Sequence, residues 1–82
     1  MKLIIDSGNT FVKTAVFENK KLIYSQITEQ LSSDFLKNIF QTYKINNSII
    51  SSVKKVPPTA INFLKNHTRF IELSASTPIP IN

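Results

Sequence analysis

The only glycine of the 82-residue chain separates two short apolar runs at its start. Residues 2–6 form the first run and end in an aspartate, and residues 11–17 form the second, which is rich in β-branched and aromatic types. Runs of this length and composition are typical of strands and are too short for helices. Gly8 and Asn9, between the runs, tolerate positive φ better than other residue types, so the pattern predicts a tight hairpin of two antiparallel strands.

The rest of the chain predicts one more strand and then helices that alternate with strands. In chain order we expect a turn at 18–20, a strand at 21–27, a helix that begins at Ser32 or Ser33, a strand at 48–53, a helix opened by Pro57 and Pro58, and a strand at 69–73. Strands that alternate with helices pair in parallel through right-handed crossovers. The sequence therefore predicts an α/β fold: a mixed five-stranded sheet, with three antiparallel strands and then β-α-β-α-β, and two helices.

The length of the chain allows one small core. A chain of 82 residues is expected to bury roughly 60–65% of its unfolded surface, which supports one domain and not two. In the final stretch, 74–82, Pro78 and Pro80 are separated by one residue, a pattern that excludes a helix and a central strand and is typical of a connector. We therefore expect 1–82 to be one incomplete N-terminal domain of a longer protein, with the second domain absent.

Composition excludes several kinds of site. The chain has no cysteine and one histidine, so disulfides, thiolate metal centres and cysteine catalysis are excluded and a zinc site is disfavoured. No apolar run is long enough to span a membrane, and the start does not match a secretory signal, so we expect a cytoplasmic protein without a membrane partner. The net charge is +5, but the basic residues are scattered and only Arg69 is an arginine, which argues against a nucleic-acid partner.

The hairpin segment from Asp6 to Lys13 carries the residue types that a phosphate-binding turn needs. Gly8 lets an anion approach the backbone closely, and small polar side chains on either side of it add hydrogen-bond donors. Asp6, at the end of the first strand, is placed to hold a magnesium ion through water, and Lys13 offers an ammonium to phosphate oxygens. The helix-based phosphate loop G-x-x-x-x-G-K-[ST] is absent. An ordinary hairpin with an exposed lysine is the alternative interpretation.

The run from Leu3 to Phe17 resembles the N-terminus of type III pantothenate kinases, which belong to the actin-like ATPase superfamily. That family opens with a strand, Asp-x-Gly-Asn-Thr, two variable positions, a frequent Lys and a second strand, and the chain matches this pattern. Residues 50–53, Ile-Ser-Ser-Val, resemble a second family segment, Ser-Ser-Val-Val-Pro, although 54–56 are inserted before the prolines. The order of the predicted elements also agrees with the superfamily, so the resemblance implies a ribonuclease H-like subdomain of an actin-like ATPase.

The resemblance implies that the intact protein transfers the γ-phosphoryl group of ATP to pantothenate, the first step of coenzyme A synthesis. In this interpretation Asp6 coordinates Mg²⁺ directly or through water, and Lys13 offsets charge that develops during the transfer. A monovalent cation, K⁺ or NH₄⁺, and a homodimer are further properties that the family implies. The residues assigned to the ATP site are Asp6, Ser7, Gly8, Asn9, Thr10, Phe11, Val12 and Lys13.

The chain lacks the family's later Gly-x-Asp-Arg segment, which supplies the proton-accepting aspartate. We therefore expect the phosphate-binding domain 1–82 to be inactive alone, without a catalytic residue of its own, and its uncovered apolar sheet surface to favour self-association. Two alternatives stay open: a non-catalytic module that binds nucleic acid as a transcription accessory factor, and an adaptor that keeps the hairpin. Ser51 and Ser52 end a predicted parallel strand, the edge where α/β sheets bind ligands, although packing alone also explains them.

Overall fold

The computed structural model of the chain describes residues 1–8, 10–51 and 56–73. Its elements, in chain order, are β1 (Lys2–Ser7), β2 (Val12–Glu18), β3 (Lys21–Thr28), α1 (Ser33–Thr42), β4 (Asn47–Ile50), α2 (Pro58–His67) and β5 (Arg69–Glu72). These elements confirm the predicted α/β class with a mixed five-stranded sheet and two helices. The turn residue Asn9, the end of the predicted strand at 52–53 and the predicted connector at 74–82 lie outside the described residues.

The sheet has the strand order β3-β2-β1-β4-β5, with β1 at its centre. β1 pairs antiparallel with β2, and β2 pairs antiparallel with β3. On its other side β1 pairs in parallel with β4, which pairs in parallel with β5. The carboxyl ends of β1, β4 and β5 therefore meet at one edge of the sheet, and the β1–β2 hairpin turns at that same edge.

Both helices cover the same face of the sheet, named here the covered face. The connections β3-α1-β4 and β4-α2-β5 both run in the same direction across the sheet. Because such crossovers are right-handed, both helices lie on the same face of the sheet. The rings of Phe40 in α1 and Phe63 in α2 meet edge to face, with centroids 5.0 Å apart. Alternate residues of the sheet point into this layer. The buried core comprises Leu3, Ile5, Val12, Val16, Leu31, Leu36, Ile39, Ile45, Ile50, Val56, Ala60 and Leu64.

Local sequence signals explain where the helices begin. Ser32, one of the two predicted caps, closes the start of α1, because its Oγ accepts a hydrogen bond from the Phe35 amide at 3.1 Å. Asp34 in the first turn suits the positive end of the helix dipole. As expected, α2 begins at Pro58, directly after Pro57.

Each helix has ten residues, and in the part of the chain that the structure describes no helix is long and apolar enough to cross a membrane.

A short chain of hydroxyl groups joins the end of α2 to the sheet. Ser48 in β4 is fully buried, and its Oγ lies 2.6 Å from Oγ1 of Thr68. Thr68 Oγ1 in turn donates to the carbonyl oxygen of Leu64 at 2.7 Å. Because Thr68 has a single hydroxyl proton and uses it on Leu64, Ser48 is the donor to Thr68. The arrangement satisfies a buried serine and fixes the end of α2 against β4.

The glycine of the first hairpin does not use the left-handed backbone conformation that glycine tolerates. The φ angle of Gly8 is not positive, and the left-handed region is occupied instead by Asn19, with φ 58°, in the turn between β2 and β3. Asparagine is one of the few types other than glycine that adopt this region at low cost. At position 8 a Cβ would lie 3.2 Å from the carbonyl oxygen of Phe11. Close packing within the hairpin, and not a positive φ, therefore explains the glycine, and the predicted antiparallel hairpin is confirmed.

Candidate functional site

Asp6 and Lys13 lie side by side on the face of the sheet opposite the helices, named here the open face. They are directly opposed across β1 and β2. Directly opposed residues of antiparallel strands point to the same face and have Cβ atoms about 4.5–5.5 Å apart. Both residues are exposed. The fold therefore presents a carboxylate and an ammonium together, at the edge where β1 ends and the hairpin turns.

The Asp6–Lys13 pair borders a concavity on the open face. The volume of this concavity is about 270 Å³. Its lining consists of Ile4, Asp6, Lys13, Ala15, Phe17, Leu22 and Ser25. Apart from the charged pair and one serine, these side chains are apolar, a mixture that is usual in ligand pockets. The site thus combines two opposite charges at its rim with an apolar floor formed by β1, β2 and β3.

Ser51, directly after β4, contacts the Asp6 carboxylate. Its Oγ donates to Oδ1 of Asp6 at 3.1 Å and accepts a hydrogen bond from the Ser7 amide, also at 3.1 Å. The sequence predicts Ser51 at this edge of the sheet but does not predict its contact with Asp6. The contact depends on the parallel pairing of β1 with β4, whose register opposes Ile5 and Ile50 and so brings the next residues together.

The hairpin between β1 and β2 is closed by Gly8. The Gly8 amide donates to the carbonyl oxygen of Phe11 at 2.9 Å, so this N–H is used within the hairpin. Thr10 and Phe11 are exposed, and Phe11, which was expected to begin the second strand, lies just before β2. Asn9, another predicted ligand of phosphate, is outside the described residues. Gly8 therefore contributes to the shape of the turn.

Two of the predicted site residues direct their side chains away from Asp6. Val12 is only 3% exposed and packs in the core of the covered face. Ser7 alternates with Asp6 along β1 and so lies on the same face as Leu3 and Ile5. Because their side chains belong to the covered face, Ser7 and Val12 have only backbone groups to offer a ligand on the open face.

The carboxylate of Asp6 suits a magnesium ion that keeps most of its water. Within residues 1–8, 10–51 and 56–73, no group of three or more His, Cys, Asp or Glu is arranged to hold a metal ion. Mg²⁺, however, is usually bound by one or two carboxylates together with waters and substrate phosphates, and not by an all-protein cage. Asp6, exposed at a strand end with the Ser51 hydroxyl at its carboxylate, fits this mode of binding.

Sequence comparisons relate the chain to enzymes that are named as kinases. It is 38% identical over 84 residues to the type III pantothenate kinase of Christiangramia forsetii, a match that covers 98% of this chain. It is 34% identical over 82 residues to that of Phocaeicola vulgatus, and 28% identical over 83 residues to that of Azobacteroides pseudotrichonymphae. Neither a family model nor a solved structure matches the chain.

The matches extend over nearly the whole chain but over only part of each relative. They cover 34% of the Christiangramia protein and the same share of the other two. The chain therefore spans about a third of the length of the curated relatives it matches. The resemblance that the hairpin motif indicates is confirmed on this basis, and the chain is a homologue of type III pantothenate kinases.

Proposed function

We propose that this chain is the phosphate-binding part of a cytoplasmic type III pantothenate kinase, which uses ATP to phosphorylate pantothenate. The observation that carries the proposal is the position of Asp6 and Lys13: they are directly opposed beside the glycine hairpin, in a segment whose relatives are named for this activity. The order of elements, three antiparallel strands and then α-β-α-β, supports a ribonuclease H-like subdomain of an actin-like ATPase.

The charged pair suits the electrostatic demands of phosphoryl transfer. The transferred group carries its charge on the oxygens around phosphorus, and there is little covalent chemistry for the protein to perform, so positioning and charge stabilisation supply most of the catalysis. The ammonium of Lys13, exposed on the open face, would neutralise charge on the terminal phosphates. Thr10 at the exposed tip would donate its hydroxyl to phosphate oxygens.

The carboxylate of Asp6 would hold Mg²⁺ through its waters. When bound, Mg²⁺ neutralises part of the negative charge of the nucleotide phosphates. Asp6 lies at the end of a central strand that is paired on both sides, so its backbone position is fixed before the nucleotide arrives. A backbone that is already fixed avoids the cost of ordering it during binding.

The remaining parts of the reaction are expected to depend on protein outside this chain. The described residues include two aspartates: Asp6 is assigned to the metal, and Asp34 lies in the first turn of α1, so the base that accepts the pantothenate hydroxyl proton is expected elsewhere. That base, the monovalent cation and the homodimer contact are expected in the rest of the intact enzyme. The 82-residue chain alone is therefore expected to lack kinase activity.

The experiment that tests the proposal is the Asp6→Asn variant of the intact protein, assayed for ATP-dependent phosphorylation of pantothenate. The substitution keeps the size of the side chain and removes the charge that anchors the metal. We expect kcat to fall by roughly 100-fold or more, the range found when one transition-state contact is lost. Glu18→Gln is the matched control, since Glu18 is exposed at the opposite end of β2 and away from the hairpin. Pantothenate phosphorylation at wild-type rate by Asp6→Asn would contradict the proposal.

A further inference from the structure

Ser51 is tied to three consecutive residues of β1. Its backbone amide donates to the carbonyl oxygen of Ile5 at 2.9 Å, which continues the ladder between β1 and β4. Its hydroxyl accepts from the Ser7 amide and donates to the Asp6 carboxylate, each at 3.1 Å. The side chain of Ser51 thus continues the contact between the two parallel strands beyond their last regular pair.

The direction of these hydrogen bonds is determined by their donors. The Ser7 amide can only donate, so it uses a lone pair of Ser51 Oγ. The single proton of the Ser51 hydroxyl is then directed to Oδ1 of Asp6, which as a carboxylate only accepts. The backbone of β1 therefore orients the hydroxyl, and the hydroxyl restrains the carboxylate.

We propose that Ser51 is a positioning residue, which holds the Asp6 carboxylate in the orientation that binds the metal–nucleotide complex. This inference rests on the proposed function. An exposed aspartate samples several rotamers, and a partner that selects one of them reduces the ordering needed when the ligand binds. Hydrogen-bond partners of metal-ligating carboxylates act in this way, and their loss typically costs roughly 10- to 100-fold in metal affinity or activity.

A purely structural role predicts a different outcome from this positioning role. If Ser51 only extends the contact between β1 and β4, its substitution weakens the fold and all nucleotide binding to the same extent. If it positions Asp6, the loss is confined to binding that depends on the metal. Ser51→Ala is suitable for the comparison because it removes both hydroxyl bonds and keeps the backbone bond to Ile5.

The experiment measures ATP affinity of the intact protein by calorimetry, once with Mg²⁺ and once with EDTA. Ser51→Ala is expected to weaken binding of Mg²⁺–ATP by roughly 10- to 100-fold and to leave binding of metal-free ATP unchanged. Ser51→Thr keeps the hydroxyl and is expected to restore most of the loss. Asp6→Asn is measured alongside, and it is expected to abolish the difference between the two titrations.

The outcomes separate failure of this inference from failure of the proposed function. If Asp6→Asn abolishes the effect of Mg²⁺ and Ser51→Ala has no effect, the positioning role is overturned and the proposed function stands. Equal losses in both titrations for Ser51→Ala, with a lower Tm, also overturn it, since they indicate a structural role. If Asp6→Asn leaves Mg²⁺–ATP binding unchanged, the proposed function itself fails and Ser51 has no metal ligand to position.

Discussion

Lys13 lies directly opposite Asp6 in the register of β1 and β2, one residue pair before the strands separate into the hairpin. The two residues are held by different contacts. Asp6 is restrained by Ser51 and by the pairing of β1 on both sides, whereas the exposed side chain of Lys13 extends from β2. Removal of the Lys13 ammonium is therefore expected to leave the Asp6 carboxylate in place, so substitutions can measure the contributions of the two charges separately.

Lys13→Ala in the intact protein is expected to reduce ATP-dependent phosphorylation of pantothenate by roughly 10²–10³-fold in kcat. The reason is that the ammonium stabilises charge that is largest in the transition state. Lys20→Ala is the matched control, because Lys20 is an exposed lysine in the turn between β2 and β3, at the other end of β2. Steady-state kinetics of the two variants check the prediction, and equal effects at both positions would contradict a specific role for Lys13.

Gly8→Ala is expected to leave the fold intact and to weaken ATP binding. The backbone at Gly8 is not in the left-handed region, so alanine is not strained there, but its Cβ would lie 3.2 Å from the Phe11 carbonyl oxygen and would displace the hairpin by a few tenths of an ångström. We expect a loss of at most about 1 kcal/mol in the free energy of unfolding, measured by urea denaturation.

Asn19→Ala provides the comparison for Gly8→Ala, because the left-handed backbone is at Asn19. This variant is expected to lose about 1 kcal/mol of stability through backbone strain and to bind ATP like the wild type. A larger stability loss at Gly8 than at Asn19 would show that the conformations of the two turns have been assigned wrongly.

Much of this fold was predictable because it depends on local signals. Apolar runs, the Ser32 cap and the Pro57-Pro58 pair locate the elements, and each of these features acts on its own neighbours. The side-by-side placement of Asp6 and Lys13 also follows from hairpin geometry. In contrast, the Ser51–Asp6 contact joins residues 45 positions apart, and it arises only from the register of two parallel strands. The sign of φ at Gly8 was not predictable, because glycine is compatible with either sign.

Thr14→Val is expected to stabilise the chain. Thr14 is fully buried in β2, and its Oγ1 has no hydrogen-bond partner among the residues that the structure describes. A buried hydroxyl without a partner costs free energy, and replacement by a methyl group of similar shape removes that cost. We expect a gain of about 1 kcal/mol, which corresponds to an increase in Tm of about 4–8 °C in thermal unfolding. Thr42→Val, at an exposed threonine of α1, is the control and is expected to give no gain. A lower Tm for Thr14→Val would show that the hydroxyl is satisfied.

Thr68→Val is expected to have the opposite effect to the same change at Thr14. It removes the acceptor of the buried Ser48 hydroxyl and the bond from Thr68 Oγ1 to the Leu64 carbonyl. Leaving a buried polar group unpaired costs about 1–3 kcal/mol, so thermal unfolding should show a clearly lower Tm. Thr68→Ser, which keeps the hydroxyl, should retain most of the stability. The double variant Ser48→Ala with Thr68→Val should recover part of the loss, and an unchanged Tm in Thr68→Val would disprove the role of the hydroxyl chain.

The open face of the sheet leads to a prediction about the 82-residue chain by itself. Ile71 on β5 is 43% exposed and Ile27 on β3 is 61% exposed, whereas Ile49 and Ile4, aligned in register with Ile71, are buried. Large apolar side chains that are exposed on one face of a sheet, such as Ile71 and Ile27, favour burial against another surface. We expect a second copy of the chain to provide that surface, so the 82-residue chain should associate with itself in sedimentation velocity runs at increasing concentration.

Charged substitutions at the two edges of the open face test this association. Ile27→Lys combined with Ile71→Lys places two ammonium groups on exposed positions of the open face and should shift the chain to the monomer. Asn38→Lys combined with Gln41→Lys adds the same charge to exposed positions of α1 and should leave association unchanged, because both lie on the helical side of the molecule. If both double variants dissociate equally, the effect is due to net charge. If the wild-type chain is a monomer at all concentrations, the open face does not bind a second copy.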